Sequence, residues 1–312
     1  MGHRIVRVPH AQIATLQSIG DLGRETTGHI DSSHDSRLNG PHTATDNILE
    51  MWFRVLSALL AVALITACGQ VPASIGNDPH QPVIEALADL PPLGSPMVDS
   101  RPVWAGFEAT HGIGDGLVAH AIDAIDVFAS PGEAEPELTL EPTTILGTTT
   151  VLGVIGGPVD GWLEVMLPIR PNGSTGWVRS DDVRTYIADS ELIIDLSERT
   201  LVYVVDGTEV LRTDVGIGSR HNPTPVGRFF VTDSVTLSDP GSPWGPHALG
   251  LSARSDTITS FNGGDGIIGI HGTNNPSSIG GNVSLGCVRL PNEMITALHR
   301  IVPVGTRVTI DA

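Results

Sequence analysis

Glycine and proline interrupt this chain too often for long helices. There are 36 Gly and 23 Pro in 312 residues, and both are costly inside a helix. Short apolar runs with period two lie between these breaks. Leu192, Ile194 and Leu196 take every second position, as do Leu201, Tyr203 and Val205, the spacing of half-buried strands. Asp195 to Arg199 supplies the turn between them, and Asp206-Gly207 is a hairpin signal. Ile267 to His271 reads as a buried strand with His271 at its end, and Val304 to Ile310 as a closing strand. Only Pro291 to Ile301 keeps a helical period, with Met294, Leu298 and Ile301 on one face. The expectation is a mainly β chain with one short helix near the C-terminus.

The length allows two domains. Residues 111–187 read as a separate small β module. Its N-terminal stretch, Val118 to Ala129, runs into a Ser-Pro-Gly turn, and Thr148 to Ile155 is rich in β-branched residues. Gly161-Trp-Leu-Glu-Val-Met-Leu and Gly176-Trp-Val-Arg-Ser are read as two strands around the turn Pro171-Asn-Gly-Ser. Trp162 and Trp177 are either a ligand platform or packing residues. The second domain is expected over 188–312.

The N-terminal third has a different character. Residues 1–50 hold five of the twelve histidines and little apolar periodicity. They read as an upstream extension that precedes the true start, Met51. Met51-Trp-Phe-Arg54 is a short basic segment, and Val55 to Ala67 an apolar run of thirteen residues. That run is too short to span a bilayer and suits the core of a signal peptide. It ends Leu64-Ile-Thr-Ala-Cys68-Gly, which resembles the lipobox of bacterial lipoproteins. The resemblance implies cleavage before Cys68, a lipid on its thiol, export, and anchoring at the outer face of the cell membrane. Residues 68–110 then form a proline-rich tether.

Cys287 is the only other cysteine. With Cys68 lipidated it keeps a free thiol. Gly280, Gly281 and Gly286 surround it, and His271 lies sixteen residues before it. A lone cysteine with a histidine elsewhere in the chain is a candidate nucleophile and base. An ordinary thiol has a pKa of about 8.5, so His271 would have to take its proton to give a thiolate-imidazolium pair at neutral pH. The backbone N–H groups of Gly286 and Cys287 are candidate oxyanion donors.

His271-Gly-Thr, followed by Ser284-Leu-Gly-Cys287-Val-Arg289, resembles the signature of the L,D-transpeptidase (YkuD-type) catalytic domain. Glu191 to Val204, Thr224-Pro-Val-Gly-Arg-Phe-Phe-Val and Gly245-Pro-His-Ala-Leu-Gly-Leu-Ser resemble further blocks of that family. The resemblance implies a β-sandwich or barrel catalytic domain over 188–312. The paired Gly-Trp strands of the upstream module resemble a bacterial SH3-like barrel, which implies wall-ligand binding or domain positioning. The implied activity is transfer of a peptidoglycan stem peptide through a Cys287 thioester, with D-alanine released and 3-3 cross-links formed. His271 is the implied base, and the Gly272 carbonyl orients it. Arg289 orders the loop or pairs with a substrate carboxylate, and Ser284 bonds locally. Many members carry a second His where this chain has Leu285, so the base role falls on His271 alone. Transfer to water would make the protein an L,D-carboxypeptidase, and loss of activity would leave a wall-binding lipoprotein.

Several classes are disfavoured. A net charge of -18 opposes binding to nucleic acid. No glycine-rich phosphate loop joins a strand to a helix, so no nucleotide cofactor is expected. His221, His247 and His271 match no closed metal spacing, and a metal on Cys287 would block it. Asp256 and Asp265 read as turn residues rather than a carboxylate pair, and His299 as a packing residue on the helix.

Overall fold

The computed structural model describes residues 116–261 and 264–312. The extension, the leader, Cys68 and the tether lie outside the described residues.

The first half is a sheet of five antiparallel strands. Its elements are β1 (Leu117–Ala121), β2 (Ile125–Val127), β3 (Leu138–Leu140), β4 (Val151–Val159), β5 (Trp162–Met166), β6 (Thr175–Arg179) and β7 (Val183–Ile187). The order is β6-β5-β4-β1-β7, with β2 and β3 paired as a separate hairpin. The Val118 to Ala129 stretch is thus two strands, broken at Ile122 to Ala124. Alternation places Leu163, Val165 and Val178 in the core with Val118, Ile125 and Leu152. Trp162 packs edge-on against Phe128 at 5.0 Å between ring centroids. The Arg179 guanidinium lies 5.4 Å from the centre of the Trp162 ring. Trp162 is therefore a packing residue in a cation-π stack rather than a bare platform.

The second half contains β8 (Ser190–Asp195), β9 (Thr200–Val205), β10 (Thr208–Asp214), β11 (Ile217–Gly218), β12 (Gly227–Thr236), β13 (His247–Arg254), β14 (Ile267–His271), β15 (Asn282–Ser284), β16 (Val288–Arg289), α1 (Asn292–Ile301) and β17 (Arg307–Asp311). An eight-stranded sheet runs β10-β9-β8-β17-β12-β13-β14-β16. Val205 and Thr208 face each other across β9 and β10, with Asp206 at φ 47° and Gly207 at φ 73° between them. Two successive positive φ values match a right-twisted hairpin. The closing strand begins at Arg307, later than its apolar pattern suggests, because Gly305 turns the chain with φ 83°. Pro291 caps α1, whose Met294, Ile295, Leu298 and Ile301 are buried. Each such side chain contributes about 1.5–3 kcal/mol by leaving water. α1 is the only α-helix among the described residues.

The halves have two hydrophobic cores, but Phe230 of β12 belongs to the first. Its ring lies over Gly153 of β4, where an added Cβ would sit 3.3 Å from the ring edge. Tyr186 Oη donates to Val304 O at 2.8 Å across the same boundary, and Thr144 Oγ1 to Asp233 Oδ1. Phe230→Ala removes a fully buried ring from this junction and is expected to cost about 3–5 kcal/mol. Urea unfolding of the whole chain measures it.

Candidate active site

Parallel pairing of β14 with β16 builds the site. Ile270 faces Val288 and His271 faces Arg289. One step back, Cys287 falls beside Gly269, and the Gly269 N–H donates to Cys287 Sγ at 3.4 Å. Side chains two apart share a sheet face, so His271, Cys287 and Arg289 project to the same side. All three line one cavity of 310 Å³. Cys287 is a free thiol, partly exposed. Among the described residues, the sulfur's hydrogen bond is to Gly269 N–H and none joins it to the imidazole.

His271 is 4% exposed. Its Nδ1 lies 2.6 Å from the Gly272 carbonyl oxygen. A carbonyl only accepts, so Nδ1 carries the proton and Nε2 keeps a free lone pair in the neutral ring. The Gly272 position is itself tightly held. An added Cβ there would meet Asn292 Oδ1 at 2.3 Å and Gly245 Cα at 3.1 Å, so two glycine backbones pass in direct contact. Asn292 Oδ1 also accepts from Thr273 N–H at 2.8 Å. The Trp244 ring covers His271 at 4.5 Å between centroids, tilted by 47°.

Burial pushes the His271 pKa down to about 4; the Gly272 carbonyl opposes the shift, Arg289 adds to it and the Trp244 backbone opposes it. Burial also pushes the Cys287 thiol up, against weaker lowering by the Gly269 N–H and Arg289. Both shifts run against the charged forms and favour a neutral thiol beside a neutral imidazole. These directions run against the thiolate-imidazolium pair expected from the residue types. The difference comes from desolvation, which the sequence does not display.

The loop before Cys287 is pinned from two sides. Ser284 Oγ donates to Cys287 O at 2.6 Å and accepts from Gly286 N–H at 3.1 Å. The Gly286 N–H expected as an oxyanion donor is therefore already occupied. The Cys287 N–H has no partner among the described residues. Thr224 Oγ1 donates to Gly286 O and accepts from Gly218 N–H, both at 2.9 Å. Gly286 has φ 117°, a conformation open to glycine and strained for other residues. Thr224→Val leaves both backbone partners unpaired in a buried place. It is expected to cost about 1–3 kcal/mol and to lower turnover, read by chemical denaturation and steady-state kinetics.

Arg289 lies partly buried with its Nε unpartnered. Leu285 is 52% exposed and contributes to the cavity rim. The remaining sequence candidates lie elsewhere or serve packing. His247 stacks on His299 at 4.1 Å between centroids, and His299 bonds Ser234 and Thr236. His221 is exposed. Asp265 pairs with Arg170 at 2.7 Å and Arg254 at 3.3 Å. Asp256 accepts from Asn172. Trp244 and Asn292 lie outside the blocks that the motifs mark, while Thr224 opens one of them. The contact of its hydroxyl with Gly286, like those of Trp244 and Asn292, joins distant segments and has no local pattern.

Residues 189–310 match the family model described as the L,D-transpeptidase catalytic domain, YkuD. A Bacillus subtilis (strain 168) protein named as an L,D-transpeptidase, YkuD, is 33% identical over 126 residues, covering 40% of this chain and 68% of that protein. Its Bacillus licheniformis namesake is 33% identical over 158 residues, covering 51% of this chain and 80% of its own. A solved structure of L,D-transpeptidase 3 from Mycobacterium tuberculosis aligns with 52% of this chain and 91% of its own, at 15% identity and a TM-score of 0.35. With the Bacillus relatives matched over most of their length, this chain belongs to the YkuD-type L,D-transpeptidase family.

Proposed function

We propose that the chain is a peptidoglycan L,D-transpeptidase that works through a Cys287 thioester and forms 3-3 cross-links. The observation that supports this most is the placing of Cys287 and His271 on one sheet face at one cavity, with the imidazole tautomer fixed by Gly272. Sγ attacks the carbonyl that follows the L-centre of a tetrapeptide stem. The thiol proton passes to His271 Nε2, and the tetrahedral oxygen takes the free Cys287 N–H. Collapse returns the proton to the departing amine of D-alanine and leaves a thioester. A side-chain amine of a second stem then attacks, His271 takes its proton, and the thiol is restored. Ser284 and Thr224 hold the loop, and Arg289 supplies the positive charge for a substrate carboxylate.

The same proposal places the enzyme outside the cell membrane, anchored by a lipid on Cys68. The tether over 68–110 gives reach, and the first β module acts as an SH3-like wall-binding or positioning domain. These parts rest on sequence alone. Intact-mass measurement of the membrane-extracted protein tests the anchor, and an unlipidated mature mass refutes it.

Incubation of the purified protein with disaccharide-tetrapeptide stems tests the reaction. Cross-linked dimers are the expected product. Tripeptide monomers alone point to the carboxypeptidase. Retention of stems without turnover points to a wall-binding protein.

A further inference from the structure

Segments 255–261 and 264–266 wall the cavity with Ser255, Ile258, Phe261 and Gly266, yet much of what holds them comes from the other half of the molecule. Arg170 lies between β5 and β6 of the first module. Its Nε donates to Asp265 Oδ1 at 2.7 Å, its Nη1 to Ser255 O at 2.7 Å and its Nη2 to Ile258 O at 3.0 Å. Three guanidinium nitrogens thus reach three separate points of one wall, a fork that only arginine offers. Two residues on, Asn172 accepts from Arg254 N–H at 2.8 Å and donates to Arg254 O at 2.8 Å, the exchange a paired strand would make. Arg254 completes the joint by donating to Pro168 O and pairing with Asp265. Ile145, from the loop between β3 and β4, also comes near the wall at Gly264.

We propose that Arg170 and Asn172 are positioning residues of the active site. Through the turn between β5 and β6, the first module fixes the wall at Ser255, Ile258 and Asp265 and so the width of the cavity in which the acyl donor lies. The module is then part of the catalytic unit, not a separable targeting appendage. The inference rests on the cavity being the stem-peptide site.

The test uses the whole chain, in a Cys287→Ala background for binding and with Cys287 intact for kinetics. Arg170→Ala is expected to weaken binding of disaccharide-tetrapeptide by about 10- to 100-fold, since a shift of about 1 Å in a site wall has effects of that order. KM rises by a similar factor while kcat changes less. Amide exchange speeds up within 255–261 and 264–266 and stays unchanged in β8 and β9. Arg170→Lys recovers part of each effect, because it keeps the charge without the fork. Unchanged affinity with faster exchange of the wall overturns the proposal, and so does unchanged exchange. Should Arg170→Ala lose its cooperative melting transition, Arg170→Lys and Asn172→Ala carry the same measurements. An unaltered chain that neither binds stems nor makes product refutes the assigned reaction instead, while exchange of the wall still reports on the clamp.

Discussion

Cys287→Ala is expected to lower cross-linking by a factor on the order of ten thousand or more, because removing a covalent nucleophile leaves only binding and oxyanion contacts to act. The variant should fold. The sulfur accepts one long hydrogen bond, 3.4 Å from Gly269 N, and sits partly exposed at the cavity. Truncating it leaves little void, so the stability change should stay within about 1 kcal/mol. Two readouts separate chemistry from fold. Intact mass after incubation with tetrapeptide shows the acyl adduct only when Cys287 is present. Melting then shows whether the variant kept its structure. A folded variant with more than about one hundredth of the original activity would sink the thioester mechanism. Cys287→Ser should fall near the alanine variant, since a serine hydroxyl beside a base this weak is hard to deprotonate.

The same residues show what a sequence can and cannot reveal. His271 and Cys287 were legible because a lone cysteine and a histidine stand on one short, glycine-marked stretch, and Gly272 and Ser284 because that stretch resembles a family signature. The strand at 267–271 was legible because full burial makes it a continuous apolar run, and the helix after Pro291 because one-sided burial imposes a period on it. Contacts between distant segments were not. Thr224 reaches Gly286 across 62 positions, and Arg170 reaches Asp265 across 95. Neither pair leaves any trace in local spacing. Asp265 read as a turn residue, yet it is the acid of a two-arginine joint. The sheet changes between β7 and β8, but Phe230 of the later sheet fills the first core. Apolar periodicity reports that a side chain is buried, not what it is buried against. The role of Gly286 illustrates a further limit. Its N–H looked free as an oxyanion donor until the fold turned the Ser284 hydroxyl onto it.

The pH dependence should follow from the neutral resting pair. Catalysis requires an unprotonated Nε2, and the folded His271 has its pKa lowered to about 4, first by burial, against the Gly272 carbonyl. The neutral base is therefore present above that value and lost as pH falls through it. The acid limb of kcat/KM is expected near pH 4, well below the value of about 6.5 for an ordinary histidine. On the alkaline side, burial holds the thiol protonated above its usual range. Alkylation of Cys287 by iodoacetamide without substrate should then be slow at neutral pH and rise only in alkali, because a small reagent needs the thiolate itself. Turnover should not follow that rise, since proton transfer to His271 accompanies attack on the stem. His271→Gln should lose about 100- to 10,000-fold in turnover, and its residual rate should track the alkylation profile. An acid limb between about pH 6 and 7, or fast alkylation of the unaltered protein at neutral pH, would instead point to a preformed thiolate-imidazolium pair. In that case the Arg289 charge and the Gly269 N–H, both of which favour the thiolate, would outweigh the burial of the sulfur.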